Sequence, residues 1–466
     1  MTIEEPDVRP DALMQPPHKG EFLGHPWGLP VIAGTEAFER FSYYGMSALL
    51  VLYLTSALLL PGHVEHVAGF AAFERVLTAI YGAAPNVQAL SSYIVGSYTA
   101  LVYVTPILGG LLADRWLGKT RTVTLGALLM SAGHFLMAFD VSFLAALLLL
   151  VIGVGCLKGN LASQVGALYG PGDNRAADGF QIYYLGISGG AFFGAMICGT
   201  LGEKVAWHWG FGAAGVGMII GLVIYLFGRR HLPPEAPRMR MVKATAPKMA
   251  ARDVKVLLVL LALIPVLALG GMSNQQMFNA YLVWANRSYD FVLFGIRWPT
   301  TYLVSFDSIT GFITMAGAVL FWRWYGTRWR EPDELSKIII GCLLSSSAFI
   351  LLAVMSQHAA ATGAKLPLWI APVVNTLNNI GFANVFPVSL ALYSRSAPRS
   401  IAATMIGIYY LFLFGAGVLS GKVGAWLDVM PVGQFWWIHV GTILAAAVLF
   451  LVAKLLFGKL LEPVAE

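Results

Sequence analysis

The chain has 466 residues, of which 58% are hydrophobic and 12% charged, and its mean hydropathy is +0.71. A soluble domain of this size does not carry so much apolar surface, so the composition excludes an ordinary water-soluble enzyme and predicts a polytopic membrane protein. The formal net charge of +6 is a topology signal and calls for no nucleic-acid partner.

Residues 1–28 hold prolines, histidines and mixed charges without an apolar core, so no cleavable signal peptide is expected. From there the apolar stretches predict twelve all-α spans, approximately 29–60, 89–113, 120–138, 143–169, 177–202, 207–228, 254–284, 300–325, 335–355, 366–393, 401–425 and 433–458. Each is long enough to cross roughly 30 Å of hydrocarbon at about 1.5 Å per residue. The polar, Pro-bearing, basic stretch "RRHLPPEAPRMRMVKATAPKMAARDVK" between the sixth and seventh spans reads as a linker. With both termini cytoplasmic, the loops on the opposite side hold only Arg75, Lys204, Arg287, Arg297, Lys365 and Lys422. That asymmetry predicts an N-in, C-in orientation.

The first span begins "GTEAFERFSYYGM" and carries Glu36, Glu39 and Arg40. A charged side chain at the middle of a membrane helix costs on the order of 2.5–3.5 kcal/mol, so such residues face a wet interior and have partners. Glu36, Glu39/Arg40, Tyr43 and Ser47 recur at steps of three to four and share one helix face. Glu36 and Arg40 are spaced to pair. The remaining Glu39 is expected to be balanced by Lys158 in "GVGCLKGNLASQ" of the fourth span, the other internal cation of this half. The foursome reads either as a neutral clamp between spans 1 and 4 or as a proton-exchanging group. The second reading is preferred, because a buried ion cluster adds little stability over apolar packing, whereas a carboxylate whose cationic partner moves can exchange a proton.

Other strings are read as structure. Cys156, Cys198 and Cys342 stand at no metal-ligand spacing and are expected to be packing residues; no metal site is predicted. Gly186 to Gly190 fits GxSxG but lies inside a helix, where no nucleophile elbow can form. There is no Walker motif, so ATP is not the fuel, and no enzyme is predicted. His134 is expected to be a hydrogen-bonded structural residue. Pro106, Pro265, Pro372 and Pro387 interrupt spans 2, 7 and 10, and Gly153, Gly155 and Gly159 are expected to loosen span 4 around Lys158.

The stretch "EAFERFSYYG" resembles the ExxERFxYYG signature of the proton-dependent oligopeptide transporters, a family of the major facilitator superfamily. "GGLLADRWLGKTRTV" is similar to the superfamily's loop motif between spans 2 and 3, and "YYLGISGGAFFG" to the family's FYxGINxGA segment. The resemblance covers most of the chain and is sharp up to about residue 203. It implies an all-α membrane protein of two six-helix bundles: a cytoplasmic segment 1–28, a bundle 29–228, a basic cytoplasmic linker 229–253, a bundle 254–458 and a cytoplasmic tail 459–466. It implies multi-pass insertion in the inner (cytoplasmic) membrane, action as a monomer, and proton-coupled import of di- and tripeptides or peptide-like solutes, with the proton as coupling ion and no cofactor.

By the same resemblance, Glu36, Glu39 and Arg40 form the proton-coupling group with Lys158 as its electrostatic switch. Tyr43, Tyr44 and Tyr103 match cavity tyrosines that contact substrate, and Asp114 and Arg115 would latch helix ends at a cytoplasmic gate. The departures concern the charged clamps on a peptide's termini. Ser47 stands where an arginine is usual, Ser188 replaces the Asn of the FYxGINxGA segment, Asn274 stands near a usual acid in span 7, and "GFANVFP" puts Phe382 at the place of a span 10 glutamate. Asp307 appears where Asn is usual. It reads as a helix-end cap or a partner of Arg297, or as a replacement for the lost acids that binds a substrate amine or carries a proton. Asn375, Asn378, Asn379 and Asn384 add polar faces suited to interhelical contacts, with Asn378 retained as a binding residue. The altered clamps leave two alternatives, a carrier of a non-peptide solute and a non-transporting sensor on the same fold.

Overall fold

The structure is a computed structural model that describes residues 21–170, 173, 175–233, 251–398 and 401–461. Most of the N-terminal segment, most of the predicted linker and the last residues of the tail lie outside the described residues. The chain is all-helical, because apolar segments in lipid must satisfy every backbone polar group internally.

The N-terminal half comprises α1 (Gly28–Tyr53), the short α2 (Phe70–Tyr81), α3 (Val87–Leu112), α4 (Lys119–Leu136), α5 (Phe143–Ala167), α6 (Arg175–Lys204) and α7 (Trp207–Gly228). The C-terminal half comprises α8 (Ala251–Gln276), α9 (Ala280–Ser288), α10 (Tyr302–Gly326), α11 (Glu334–Thr362), α12 (Ile370–Ser396), α13 (Ala402–Tyr409), α14 (Leu411–Gly424) and α15 (Val432–Leu461). Three two-stranded sheets decorate the loops. β1 (Glu21–Phe22) pairs antiparallel with β2 (His25–Pro26), β3 (Tyr289–Asp290) parallel with β6 (Leu366–Pro367), and β4 (Val292–Leu293) antiparallel with β5 (Ile296–Arg297).

Among the described residues, ten helices are long and apolar enough to cross a membrane. α4 and α12 fall short of that standard for visible reasons. α4 is 18 residues long and opens on Lys119 and Arg121, and α12 buries Asn375, Asn378, Asn379 and Asn384. The predicted span 254–284 is divided into α8 and α9 by a turn at residues 277–279, and the span 401–425 into α13 and α14 at Tyr410. The helix α2 lies in a stretch expected to be loop, and its 12 residues are too few for a span.

Glycine decides the close crossings. In α6, Gly186, Gly190 and Gly194 recur every fourth residue against the backbone of α1. A methyl group on Gly190 would lie 2.0 Å from the Ala37 carbonyl oxygen, and one on Gly194 would lie 2.2 Å from that of Phe41. This is small-residue packing of the kind that joins helices in lipid, where water supplies no hydrophobic drive between them. The GxSxG string is thus a helix-packing stripe. Gly153 and Gly155 likewise correct their expected role. Gly155 lies against Thr105 and Gly109 of α3, and Gly153 against Gly126 and Met130 of α4, so both tighten α5 against its neighbours. Only Gly159 has open space around it. Pro106, Pro265 and Pro387 lie inside α3, α8 and α12, whereas Pro372 sits in the first turn of α12 and interrupts nothing.

α1 packs on α6 and α7, α5 on α3 and α4, α11 on α12 and α15, and α8 on α14 and α15; the two halves meet along α3/α14 and α6/α10. All hydrogen bonds between the halves, among the described residues, lie at the end away from the predicted linker. Glu203, at the end of α6, accepts from the backbone N–H groups of Thr300 and Thr301 at 2.8 Å each, at the start of α10. Thr200 meets Tyr302 at 3.0 Å, Ser305 donates to the Phe192 carbonyl at 2.9 Å, and Lys422 donates to the Tyr81 carbonyl. Gln88 and Ser92 of α3 bond Gly424 and Asn279. The molecule is therefore closed at one end, and no comparable bond joins the described residues of the halves at the linker end.

Candidate functional site

The face of α1 that the sequence marks as polar is buried: Glu36 is 3%, Glu39 0% and Arg40 5% exposed. The helical repeat brings them together, and Arg40 pairs with Glu36 at 3.1 Å and also with its neighbour Glu39. Its guanidinium lies 5.2 Å from the centre of the Tyr43 ring, and Tyr183 of α6 faces the Glu36 carboxylate. Lys158 comes from α5 and feels the charges of Arg40, Glu39 and Glu36. Its closest partner, however, is the Tyr103 ring of α3, with the ammonium 4.3 Å from the ring centre. No ion pair of Lys158 within 4 Å is found among the described residues. The expected exchange of charges is thereby revised, since Arg40 serves both acids and Lys158 stands on an aromatic face.

The tyrosines lead from this cluster to the opposite half. Tyr43 meets Tyr44 edge-on at 5.2 Å, and Tyr44 meets Phe278, beside the α8/α9 break, at 6.0 Å. Gln275 of α8 lies near the Tyr103 hydroxyl. Ser47 lies on the same face of α1, its hydroxyl enclosed without a hydrogen-bond partner among the described residues. Ser188 is half-buried on α6. Gln275, Phe278 and Tyr183 were not picked out as site residues from the sequence. The signal available was the polar run "SNQQ" in an otherwise apolar span and the second tyrosine pair, Tyr183-Tyr184.

In the C-terminal half, Asn274, Asn378 and Phe382 line one cavity together with Ser273, Ser345 and Phe386. The Asn378 amide nitrogen has no hydrogen-bond partner among the described residues, and Phe382 stacks on Phe386 at 5.3 Å. Asp307, in the second turn of α10, lines a second, smaller cavity with Phe278, Tyr281 and Asn375, and it faces Tyr44 across the two halves. Its Oδ1 accepts from the Asn379 amide at 2.9 Å. The pairing with Arg297 does not form, because that guanidinium donates to Asn286 at 3.0 Å. Asn375, Asn379 and Asn384 are occupied in tying α12 to α10, through Leu303, Asp307 and Trp322.

Two expected features take another form. Asp114 and Arg115 fall in a single π-helical turn, Ala113–Leu117, where both are exposed and neither forms an ion pair among the described residues. His134 is fully buried, and neither ring nitrogen has a hydrogen-bond partner among the described residues, so it packs without the expected bond. The three cysteines are free and buried.

The sequence pattern of the POT family is matched over residues 120–255. A protein named Peptide transporter YePEPT, from Yersinia enterocolitica subsp. palearctica, is 27% identical, covering 92% of this chain and 94% of its own. A di-/tripeptide transporter of Lactococcus lactis subsp. lactis is 29% identical, over 88% of this chain and 80% of its own. A crystal structure of a variant of the peptide transporter POT, in complex with alafosfalin, superposes with a TM-score of 0.79 at 25% identity, covering 95% of this chain and 97% of that one. With ten apolar spans, an ion cluster sunk into α1 and this likeness over nearly its whole length, the chain is a multi-pass membrane protein similar to transporters of the POT family.

Proposed function

We propose that the protein is a proton-coupled importer of di- and tripeptides or peptide-like small molecules, working by alternating access. One observation carries this most directly: two carboxylates and an arginine are paired in the buried face of α1 while a lysine opposite them has no carboxylate within 4 Å, beside a molecule closed at one end only. An acid whose cation can leave is an acid that can take up a proton. The relatives named as di-/tripeptide transporters and the neighbour holding alafosfalin support the substrate class.

On this reading twelve helices cross the membrane, α4 and α12 among them, since the four asparagines of α12 are buried and do not meet lipid. The chain divides into bundles 29–228 and 254–458 joined by a basic linker at 229–253, a division that the helix packing supports. Both termini and the linker face the cytoplasm, the bilayer is the inner membrane, and the working unit is a monomer with the proton as coupling ion and no other cofactor. A membrane potential adds about 2.3 kcal/mol per charge per 100 mV, enough for a tens-fold concentration of substrate per proton. Glu36, Glu39, Arg40 and Lys158 carry the coupling, with Asp307 as a further proton site. Tyr43, Tyr44, Ser47, Tyr103, Ser188, Asn274, Asn378 and Phe382 line the substrate path, Lys158 offers a charge to the substrate carboxylate, and Asp114 and Arg115 belong to the gate that closes when the linker end shuts.

The test is uptake of labelled dialanine and trialanine into proteoliposomes under an inward proton gradient. Accumulation above the external concentration, abolished by a protonophore, is expected. Ser47 and Phe382, in place of charged clamps, favour a second reading in which a non-peptide solute is carried. Peptides would then neither accumulate nor stabilise the purified protein in a thermal-shift screen, whereas binding without flux would mark a sensor.

A further inference from the structure

The last turns of α10 and the chain that leaves it read "FWRWYGTRWR", residues 321–330, at the linker end of the C-terminal half. Trp322 turns inward, where its Nε1 donates to Asn384 of α12 at 2.7 Å. The other rings make a platform on the outside. Trp329 meets Tyr325 at 5.0 Å and Trp324 at 5.6 Å, and Trp324 and Trp329 are 47% and 52% exposed. The Arg328 guanidinium lies 4.8 Å from the centre of the Trp324 ring. Positive charge is left over here. The acids that follow are each paired with a cation of α11, α15 or α12: Glu331 with Lys337, Asp333 with Lys454 at 2.9 Å and Glu334 with Arg395 at 2.8 Å. Arg323, Arg328 and Arg330 are exposed and form no ion pair among the described residues.

We infer that this platform binds the headgroup of an anionic phospholipid in the leaflet on the linker side. Two observations select lipid over a soluble partner. Phe306, Ile313, Leu320 and Trp324 stand on one face of α10 at steps of seven and four and are all exposed, so a stripe suited to hydrocarbon leads straight to the platform. Exposed Trp rings clustered beside arginines are costly in water but suit the headgroup layer, where an amphipathic ring settles and a long cationic side chain reaches a phosphate. A guanidinium presents paired N–H donors that match the two free oxygens of a phosphodiester. The basic linker at this end repeats the sign of the platform and does not complement it. A zwitterionic lipid offers the same phosphate with a cation beside it, so it binds more weakly. The inference requires only that α10 crosses a bilayer and stands apart from the choice of transported solute.

The experiment titrates the purified protein in detergent with dioleoylphosphatidylglycerol or dioleoylphosphatidylcholine and counts bound lipids by native mass spectrometry. Wild type is compared with Arg323→Gln, Arg328→Gln and Arg330→Gln, singly and together, and with Arg75→Gln at the closed end. A basic side chain at an anionic membrane surface contributes about fivefold in affinity. Each single variant is therefore expected to bind phosphatidylglycerol about fivefold more weakly and the triple variant about a hundredfold, with phosphatidylcholine binding unchanged. Arg75→Gln should match wild type with both lipids. Wild-type affinity for phosphatidylglycerol in the single and triple variants, or an equal loss in Arg75→Gln, would overturn the inference. Displacement of the bound lipid by an equal concentration of glycerol phosphate would overturn it in favour of a soluble anion. A changed oligomeric state in the triple variant with no loss of lipid would also overturn it and would give the platform to a second copy of the chain.

Discussion

Arg40 is the residue on which the two acids of α1 depend. Held by both Glu36 and Glu39, it leaves Glu39 without any exposure and with a second cation only at the distance of Lys158. Breaking a buried pair from one side costs about 3–5 kcal/mol, because a charge is left alone, whereas making one acid neutral costs far less in structure. Glu36→Gln and Glu39→Gln are therefore expected to fold, to lose proton-driven accumulation and to retain part of the exchange of internal for external substrate. Arg40→Ala, by contrast, should reduce the amount of folded protein recovered from the membrane. Loss of exchange as well as accumulation in both Gln variants would make the cluster a structural clamp. Asp307 is tested in the same way: held by the Asn379 amide and unpaired with Arg297, it should give an altered pH dependence of uptake as Asp307→Asn. At this scale the sequence was readable where spacing alone sets a contact, as for Glu36 and Arg40 one turn apart. It expected Lys158 to balance Glu39 and left Arg297 open as a partner of Asp307, whereas in this structure Lys158 stands on the Tyr103 ring and Arg297 donates to Asn286, because the choice of partner depends on what stands across the gap.

Helices that touch through glycine have no room to give. The carbonyl oxygen of Ala37 would lie 2.0 Å from a methyl group on Gly190. Gly190→Val should therefore separate α1 from α6 and destabilise the protein by about 1–3 kcal/mol or more, seen as a lowered Tm in detergent. The same substitution at Gly159, which has open space around it, should leave Tm close to wild type. The α6/α10 seam is governed differently, by a carboxylate docked on a helix N-terminus. Glu203→Gln retains the shape but removes the charge that suits the two Thr N–H groups, a loss of about 1 kcal/mol. That should shift the balance toward a conformation open at this end by about fivefold, measurable as faster labelling of a cysteine placed at Ser420. Element type and most boundaries were legible from the apolar pattern. The break at 277–279, the interruption at Tyr410 and the short α2 were not; at the break, Asn279 accepts a hydrogen bond from Ser92 of the other half, a contact that hydropathy does not carry.

Taken whole, the molecule is bonded across its halves at one end and unbonded, among its described residues, at the other. A cysteine at Tyr184, which is 60% exposed, should be labelled readily by a hydrophilic thiol reagent in the resting protein, and one at Ser420, 2% exposed, should not. The native cysteines are buried and contribute little background. The membrane class, the positions of the spans and the presence of acids and bases within them were determined by the sequence itself, because apolar length and the cost of burying charge are local properties of the chain. Which cation faces which carboxylate, which glycines are in contact and which end is closed were decided only in the tertiary structure. Those features depend on the meeting of α1 with α6, of α3 with α5 and α14, and of α6 with α10, and no spacing within one helix encodes them.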